Sequence, residues 1–248
     1  MNSKTLLLIL SSFFFLSTAH SFINIESLRQ SDELGLLGSL GLKVNGASGN
    51  TDKFNSSLGA NNIYRNKNNE YLSLLNYSYS EVSNTKNIHR GQIHLRYTTH
   101  FPKTFSIETF TQIQFDDFKS LKYRKLLGVG LRKNLLSSPS QWFSVGLGAF
   151  YESEEFEDLT KNILFRYNVY ASYKAKLNDT SALTFVNYLQ PSVDDIKNIR
   201  VKSHFNLKLK LYKNLSLSND IRYSFDSNLK KPIEKGDLTY MTGFNLKY

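Results

Sequence analysis

Residues 165–173 read "FRYNVYASY". Phe165, Tyr167, Val169, Ala171 and Tyr173 alternate with Arg166, Asn168, Tyr170 and Ser172. A two-residue period is the signature of a strand whose faces meet different surroundings, because successive side chains of a strand point to opposite sides. Here the apolar face is free of charge and the other face carries an arginine, an asparagine and a serine. The same pattern recurs along the chain from about Leu36. Its apolar phase runs through Leu40, Leu42, Val44; Phe54, Leu58, Ala60, Tyr64; Tyr71, Leu75, Tyr77, Tyr79; and Ile93, Leu95, Tyr97. It continues through Phe105, Ile107, Ile113, Phe115; Leu127, Val129, Leu131; and Phe143, Val145, Leu147, Ala149, Tyr151. After residues 165–173 come Leu183, Phe185, Leu189; Val201, Phe205, Leu207, Leu209, Leu211; and Leu215, Leu217, Ile221, Tyr223, Phe225. The chain ends "DLTYMTGFNLKY" (237–248), again alternating. These segments make twelve strands, of which "SALTFVNYLQ" (181–190) is ambiguous in phase.

Each segment is about ten residues or more, longer than the five or six usual in water-soluble sheets and close to what a tilted strand needs to cross a bilayer. Ser73 and Thr109 enter the apolar phase, but Lys, Arg, Asp and Glu stay out of its central stretches. That is the behaviour of a lipid-facing surface. The expected fold is all-β: a transmembrane, antiparallel, up-and-down β-barrel of about twelve strands. A soluble periplasmic β protein stays open as the fold-level alternative.

The bulk composition agrees with strands and excludes some chemistry. The 248 residues include 18 Phe and 15 Tyr but only 4 Pro, and no Cys at all. Disulfides, thiolate metal sites and cysteine nucleophiles are therefore excluded. The N-terminus has Lys4, then "TLLLILSSFFFL", then "STAHS". This order of charge, apolar stretch and small residues is that of a secretory signal peptide with cleavage after Ala19 or Ser21. The expected organisation is a signal peptide at 1–21, a short segment at 22–34 and an outer-membrane barrel at 35–248. Removal of the leader leaves 30 basic and 21 acidic residues, a net +9.

The hairpin tips give orientation. Bacterial outer-membrane barrels have an even strand count and alternate short periplasmic turns with longer external loops. With both termini periplasmic, the external tips fall at 48–52, 81–86, 116–121, 153–160, 191–198 and 226–236, and they hold twelve acids. The opposite tips at 66–69, 100–103, 134–140, 175–180 and 212–214 hold only Asp179 and read as tight turns: "NKNN", "FPK", "LNDT", "YKN".

"LGLKVNGASGNTDKFNSSLGANNIYRN" (40–66) resembles the opening strands of the domain-of-unknown-function 481 family, the salt-induced outer-membrane protein type. "IETFTQIQFDDFKSLKYRKLLGVGLRKNL" (107–135) and the ending "LKLYKNLSLSNDIRYSFDSN…GDLTYMTGFNLKY" (209–248) resemble later parts of it in the right order. The resemblance covers roughly Gly35 to Tyr248. It implies location and fold, and no catalytic residues. It also implies that the last strand, with Tyr240, Phe244, Leu246 and Tyr248, is what the barrel-assembly machinery reads. Tyr248 stands where such barrels more often end in Phe.

In the opposite, inward phase, twelve basic residues face three acids, Glu108, Glu152 and Asp220. The tenth strand, "RVKSHFNLKLK" (200–210), is the densest, and with Arg166 gives a basic ladder of Arg166, Arg200, Lys202, His204, Lys208 and Lys210. Charges of one sign in a low-dielectric tube attract anions. One function is thus a narrow anion-preferring channel. The alternative is a structural or stress-related envelope barrel whose lumen is plugged by large inward residues such as Leu72, Leu74, Phe110, Phe150, Tyr170 and Tyr188.

An enzyme is not expected. A lipase needs a nucleophile, a base and an orienting group within reach on the lipid face, and His94 and His204 fall in the inward phase. No cofactor or metal site is expected, although the acidic "ESEEFED" (152–158) has calcium-like donors without a glycine-bearing loop. The basic residues follow strand parity without clustering on an exposed face, so no nucleic-acid partner is expected. The partners expected are outer-membrane lipid and lipopolysaccharide, the barrel-assembly machinery and small anions. The last strand is expected to pair with the first near Leu40 to Val44, because an unpaired edge in lipid is costly.

Overall fold

The computed structural model describes residues 34–101, 105–229 and 234–246. The predicted signal peptide, the segment before residue 34 and Tyr248 lie outside these. Twelve strands follow one another: β1 Gly35–Ala47, β2 Lys53–Arg65, β3 Asn69–Val82, β4 Thr85–Phe101, β5 Phe105–Asp116, β6 Leu121–Ser137, β7 Gln141–Phe156, β8 Lys161–Asn178, β9 Ser181–Pro191, β10 Ile199–Lys210, β11 Leu215–Asp226 and β12 Gly236–Leu246. They form one sheet in sequence order, every neighbour antiparallel. Asp117–Lys119 adds a single 3-10 turn.

The hairpins close through side chains that the sequence supplies. Asn66 Oδ1 accepts from the backbone N–H of Asn68 and Asn69 at 3.0 and 2.8 Å. Asn178 Oδ1 accepts from the Thr180 N–H at 2.9 Å and from its hydroxyl at 2.8 Å. Ser83 and Asn84 both take positive φ, 49° and 62°, as a two-residue type I′ hairpin requires.

Alternation fixes the two faces. Leu127, Leu147 and Phe165 on the outer face are 64, 61 and 55% exposed, whereas inward Leu72, Phe150 and Tyr170 are 3, 3 and 4% exposed. The inside is therefore the packed side and the outside is a continuous apolar belt, far larger than the patches a monomer shows to water.

The sheet is curled by contacts across its concave side. Phe110 on β5 packs against Phe150 on β7 with ring centroids 6.0 Å apart. The Tyr170 hydroxyl on β8 reaches Glu108 on β5, and Lys119 beyond β5 reaches Asp237 on β12 at 3.4 Å.

Three expectations are corrected. First, strands run further than predicted, so five of the twelve supposed tip acids, Glu81, Asp116, Glu154, Glu155 and Asp226, lie on strands. The turn signals mark where the chain reverses, but the ladder continues up to them. Second, the inward face holds more acids than three, since Glu70, Asp116 and Glu154 are also buried there at 3, 4 and 1% exposure. Third, among the described residues no ladder joins β12 to β1. Leu40 and Tyr240 are 77 and 79% exposed, more than the outward residues inside the sheet. The inward positions of the two edges include the small or polar Ser39, Gly41, Thr239 and Gly243, and the bulky Leu37 packs toward Ile63, Leu72 and Leu74 of β2 and β3.

Candidate functional site

The interior is uneven. Along β3 to β9 it is filled. Leu72 and Leu74 pack with Ile63, with Leu37 against them, and Tyr170 packs with Val186 and Tyr188. His94 stacks on Phe110 with centroids 5.6 Å apart and hydrogen-bonds Gln112 at 3.0 Å. Inward glycines make room for the rings. A Cβ on Gly128 would lie 2.4 Å from the Phe110 ring, and one on Gly146 would lie 2.0 Å from the Tyr170 ring.

Toward the end of the barrel that carries the acidic tips, the filling becomes ionic. Arg166 Nε lies 3.0 Å from Glu152 Oε1, while its other nitrogens donate to the carbonyls of Gln190 and Asn198 at 3.1 and 3.0 Å and to Asn198 Oδ1 at 2.9 Å. Arg200 pairs with Glu152, with Glu154 at 2.9 Å and with Asp226 at 2.5 Å. Arg124 pairs with Glu154 and lies 3.9 Å from Asp226. Strands β6, β7, β8, β10 and β11 thus meet in one buried network. Such a network is stable only while every charge keeps its partner.

The predicted basic ladder therefore divides. Arg166 and Arg200 are consumed by carboxylates. His204 Nε2 lies 2.5 Å from Asp220, which Arg222 also approaches at 2.7 Å. Lys202, Lys208 and Lys210, on the same inward phase of β10, make no hydrogen bond or ion pair among the described residues. Lys202 lies beside Arg124, Arg200 and Lys119 at the ionic end, whereas Lys208 and Lys210 are exposed further along β10, opposite the short inward Ser218 and Ser216 of β11. Tyr240 and Phe244 lie exposed on the outer face of β12; Leu246 ends that strand, and Tyr248 is outside the described residues.

The sequence reading missed Glu154, Asp226, Arg90 and Arg124 as interior groups. The signal was present for Glu154: it continues the parity of Phe150 and Glu152, and Asp226 that of Asp220, Arg222 and Ser224. The "ESEEFED" stretch is split by that parity. Glu152 and Glu154 turn inward to arginines, and Glu155 turns outward to Lys122, Tyr123 and Lys161. Glu152, Glu154 and Glu155 are thus engaged by basic and phenolic groups, Asp158 accepts from the Thr160 N–H and hydroxyl, and no cluster of three His, Asp or Glu suited to a metal occurs among the described residues. His100 Nδ1 lies 2.8 Å from Ser106 Oγ, a pairing not foreseen. It sits on the inward phase, away from lipid esters.

No curated protein matches the chain in sequence. Among solved structures, similarity extends to the NanC porin, with 11% identity over 84% of this chain and all of that one and a TM-score of 0.48. It extends also to the Pseudomonas putida toluene transporter TodX, with 7% identity over 86% of this chain and 78% of that one and a TM-score of 0.41. The β domain of the Bordetella autotransporter BrkA matches at 10% identity over 86% of this chain and 99% of that one, with a TM-score of 0.35. Residues 39–248 match the family described as Protein of unknown function, DUF481. The chain, a twelve-stranded up-and-down β protein with an apolar outside and a charged, half-filled inside, belongs to the DUF481 family.

Proposed function

We propose that the protein is an outer-membrane β-barrel, exported by a cleaved leader at residues 1–21, that keeps a narrow anion-preferring passage along one side of its lumen. One observation carries the anion preference: within the single ladder of β10, Arg200 and His204 are held by carboxylates, and Lys202, Lys208 and Lys210 are not. Uncompensated ammonium groups along a confined water path raise the local anion concentration and oppose cations. The paired arginines contribute no such field, since their charge is cancelled within about 3 Å.

The membrane reading is supported by the outer belt, whose leucines and aromatics would aggregate in water, which argues against a soluble periplasmic protein. In lipid the edges of β1 and β12 must pair or be covered, and closing them turns the open side of the interior into a bounded lumen. Tyr240, Phe244, Leu246 and Tyr248 of the final strand then serve as the sequence read by the assembly machinery. Nothing in the interior calls for an enzymatic role.

The second reading, a scaffold barrel with a closed lumen, draws on the packed half between Leu72 and Tyr188 and on the ionic network around Arg200. Planar-bilayer recording separates the two. The anion reading expects a small conductance with a reversal potential on the anion side, lost when Lys202, Lys208 and Lys210 are changed together to Gln. A cation-selective wild-type protein rejects the anion preference, and a silent one rejects it in favour of the scaffold.

A further inference from the structure

The outward phase of β6 is apolar between two lysines. Lys125, Leu127, Val129, Leu131 and Lys133 follow one another on that face, and Leu127 and Val129 are 64 and 53% exposed. The eight steps from Lys125 to Lys133 span about 26 Å of strand. At the usual tilt that is about 20 Å of height, close to the apolar band of such barrels. Lys125 thus sits at the hydrocarbon boundary on the side of the acidic tips, and Lys133 at the opposite one.

Around Lys125 other groups gather. Its Nζ lies 4.9 Å from the Tyr123 ring centroid, and the Lys122 Nζ lies 5.9 Å from the same ring. Glu155 on β7 takes Lys122 at 2.8 Å and Lys161 of β8 at 3.4 Å, and accepts from the Tyr123 hydroxyl as well. Three ammonium groups therefore gather around Tyr123 and Glu155, with Glu157 as the further carboxylate acting on Lys122. Lys125 has no carboxylate partner among the described residues, and Lys122 and Lys161 keep 47 and 68% of their side chains exposed. Directly toward the membrane lie Leu127 and Ile163, 64 and 61% exposed.

An exposed cationic surplus is ordinarily a solvated face. This one adjoins an apolar surface at the level where lipid headgroups lie, so it matches an anion that carries hydrocarbon. We infer that Lys122, Lys125 and Lys161, with Tyr123 and Glu155 holding them in place, form a binding site for the phosphorylated headgroup of a glycolipid in the outer leaflet, its acyl chains lying against Leu127 and Ile163. The inference rests on the outer-membrane reading above. Phosphate oxygens accept charge-assisted bonds from the three ammoniums, and long lysine stems over apolar surface place their heads at that interface.

The test uses the full-length protein purified in mild detergent and titrated with bis-phosphorylated lipid A, followed by native mass spectrometry. Heat-modifiable migration of every variant serves as the folding control. Wild type is expected to bind, and Lys122→Gln/Lys125→Gln/Lys161→Gln to bind on the order of 100-fold more weakly. Lys125→Gln alone is the milder variant and is expected to fall between. Dephosphorylated lipid A is expected to bind wild type no better than bis-phosphorylated lipid A binds the triple variant, and millimolar inorganic phosphate is expected not to displace the lipid. Equal binding by a folded triple variant overturns the site and leaves the barrel reading intact. Displacement by inorganic phosphate at the concentration of the lipid overturns the lipid assignment in favour of free phosphate. A wild-type protein without heat-modifiable migration overturns the barrel reading, and the site with it.

Discussion

The Tyr170 hydroxyl on β8 donates to Glu108 Oε2 on β5 at 2.9 Å, joining residues 62 apart in sequence across the interior. The same carboxylate takes Arg96 Nη1 at 2.9 Å. Both partners of the long-range bond are buried, so its loss removes one of the donors that share Glu108 Oε2. Tyr170→Phe is expected to lower stability by about 1–2 kcal/mol, read as a shifted urea midpoint for the protein folded in detergent micelles. An unchanged midpoint would show that water replaces the bond freely.

Arg200 holds Glu152, Glu154 and Asp226 together. Arg200→Met leaves these three carboxylates to share Arg124 and Arg166, and is expected to cost about 3–5 kcal/mol. Changing Glu154 and Asp226 to uncharged residues in the same chain should recover much of that loss. Independent, additive losses in the combined variant would contradict a shared network.

The glycine at 146 is set by the Tyr170 ring, which would stand 2.0 Å from an added Cβ. Gly146→Ala must displace that ring from Glu108. A loss of about 1–3 kcal/mol is expected, and it should be less than additive with Tyr170→Phe, because the displaced ring has already given up its hydrogen bond. Additive effects would place the two residues in separate environments.

Asp117, in the 3-10 turn outside the spanning strands, is partly buried, which alone would raise its pKa. Hydrogen bonds from Lys86 at 2.9 Å and His89 at 2.8 Å outweigh this and hold the carboxyl below the usual carboxylate range. A depressed acid stabilises the fold above its unfolded pKa of about 3.9 and loses that contribution as pH falls through the folded value. Asp117→Asn should therefore reduce stability at neutral pH and leave it unchanged once the pH has fallen below the folded value. Equal loss at both ends would assign the effect to geometry and not to charge.

The fold was legible because one face of the strands excludes charge, so "FRYNVYASY" and all but one of its counterparts keep a clear period from about Leu36 onward. Strand number and order follow from that, and parity for every strand but the ninth. The interior was less legible. Parity says that Arg166 and Glu152 both face inward, but only curvature brings β10 to β7, so the pairing of Arg200 with Glu154 could not be counted from sequence. Acids beside turn residues, such as Asp116 and Asp226, read as loop acids because local turn signals mask a strand that is still paired. The relation of β12 to β1 involves no local signal at all, only the curvature that the packed half imposes.

A membrane barrel turns one surface of each strand to lipid and the other to an aqueous or packed interior. The protein has no cysteine, so single cysteines report without background. Bimane labels at Leu147, Val169 and Ile221 (outer face) and at Asn168, Ser172 and Ser218 (inner face), in reconstituted vesicles, should divide by parity. The outer three should be quenched by brominated lipid and spared by aqueous iodide, and none of the inner three quenched by lipid. Lipid quenching independent of parity, or absent at all six positions, would contradict the membrane barrel.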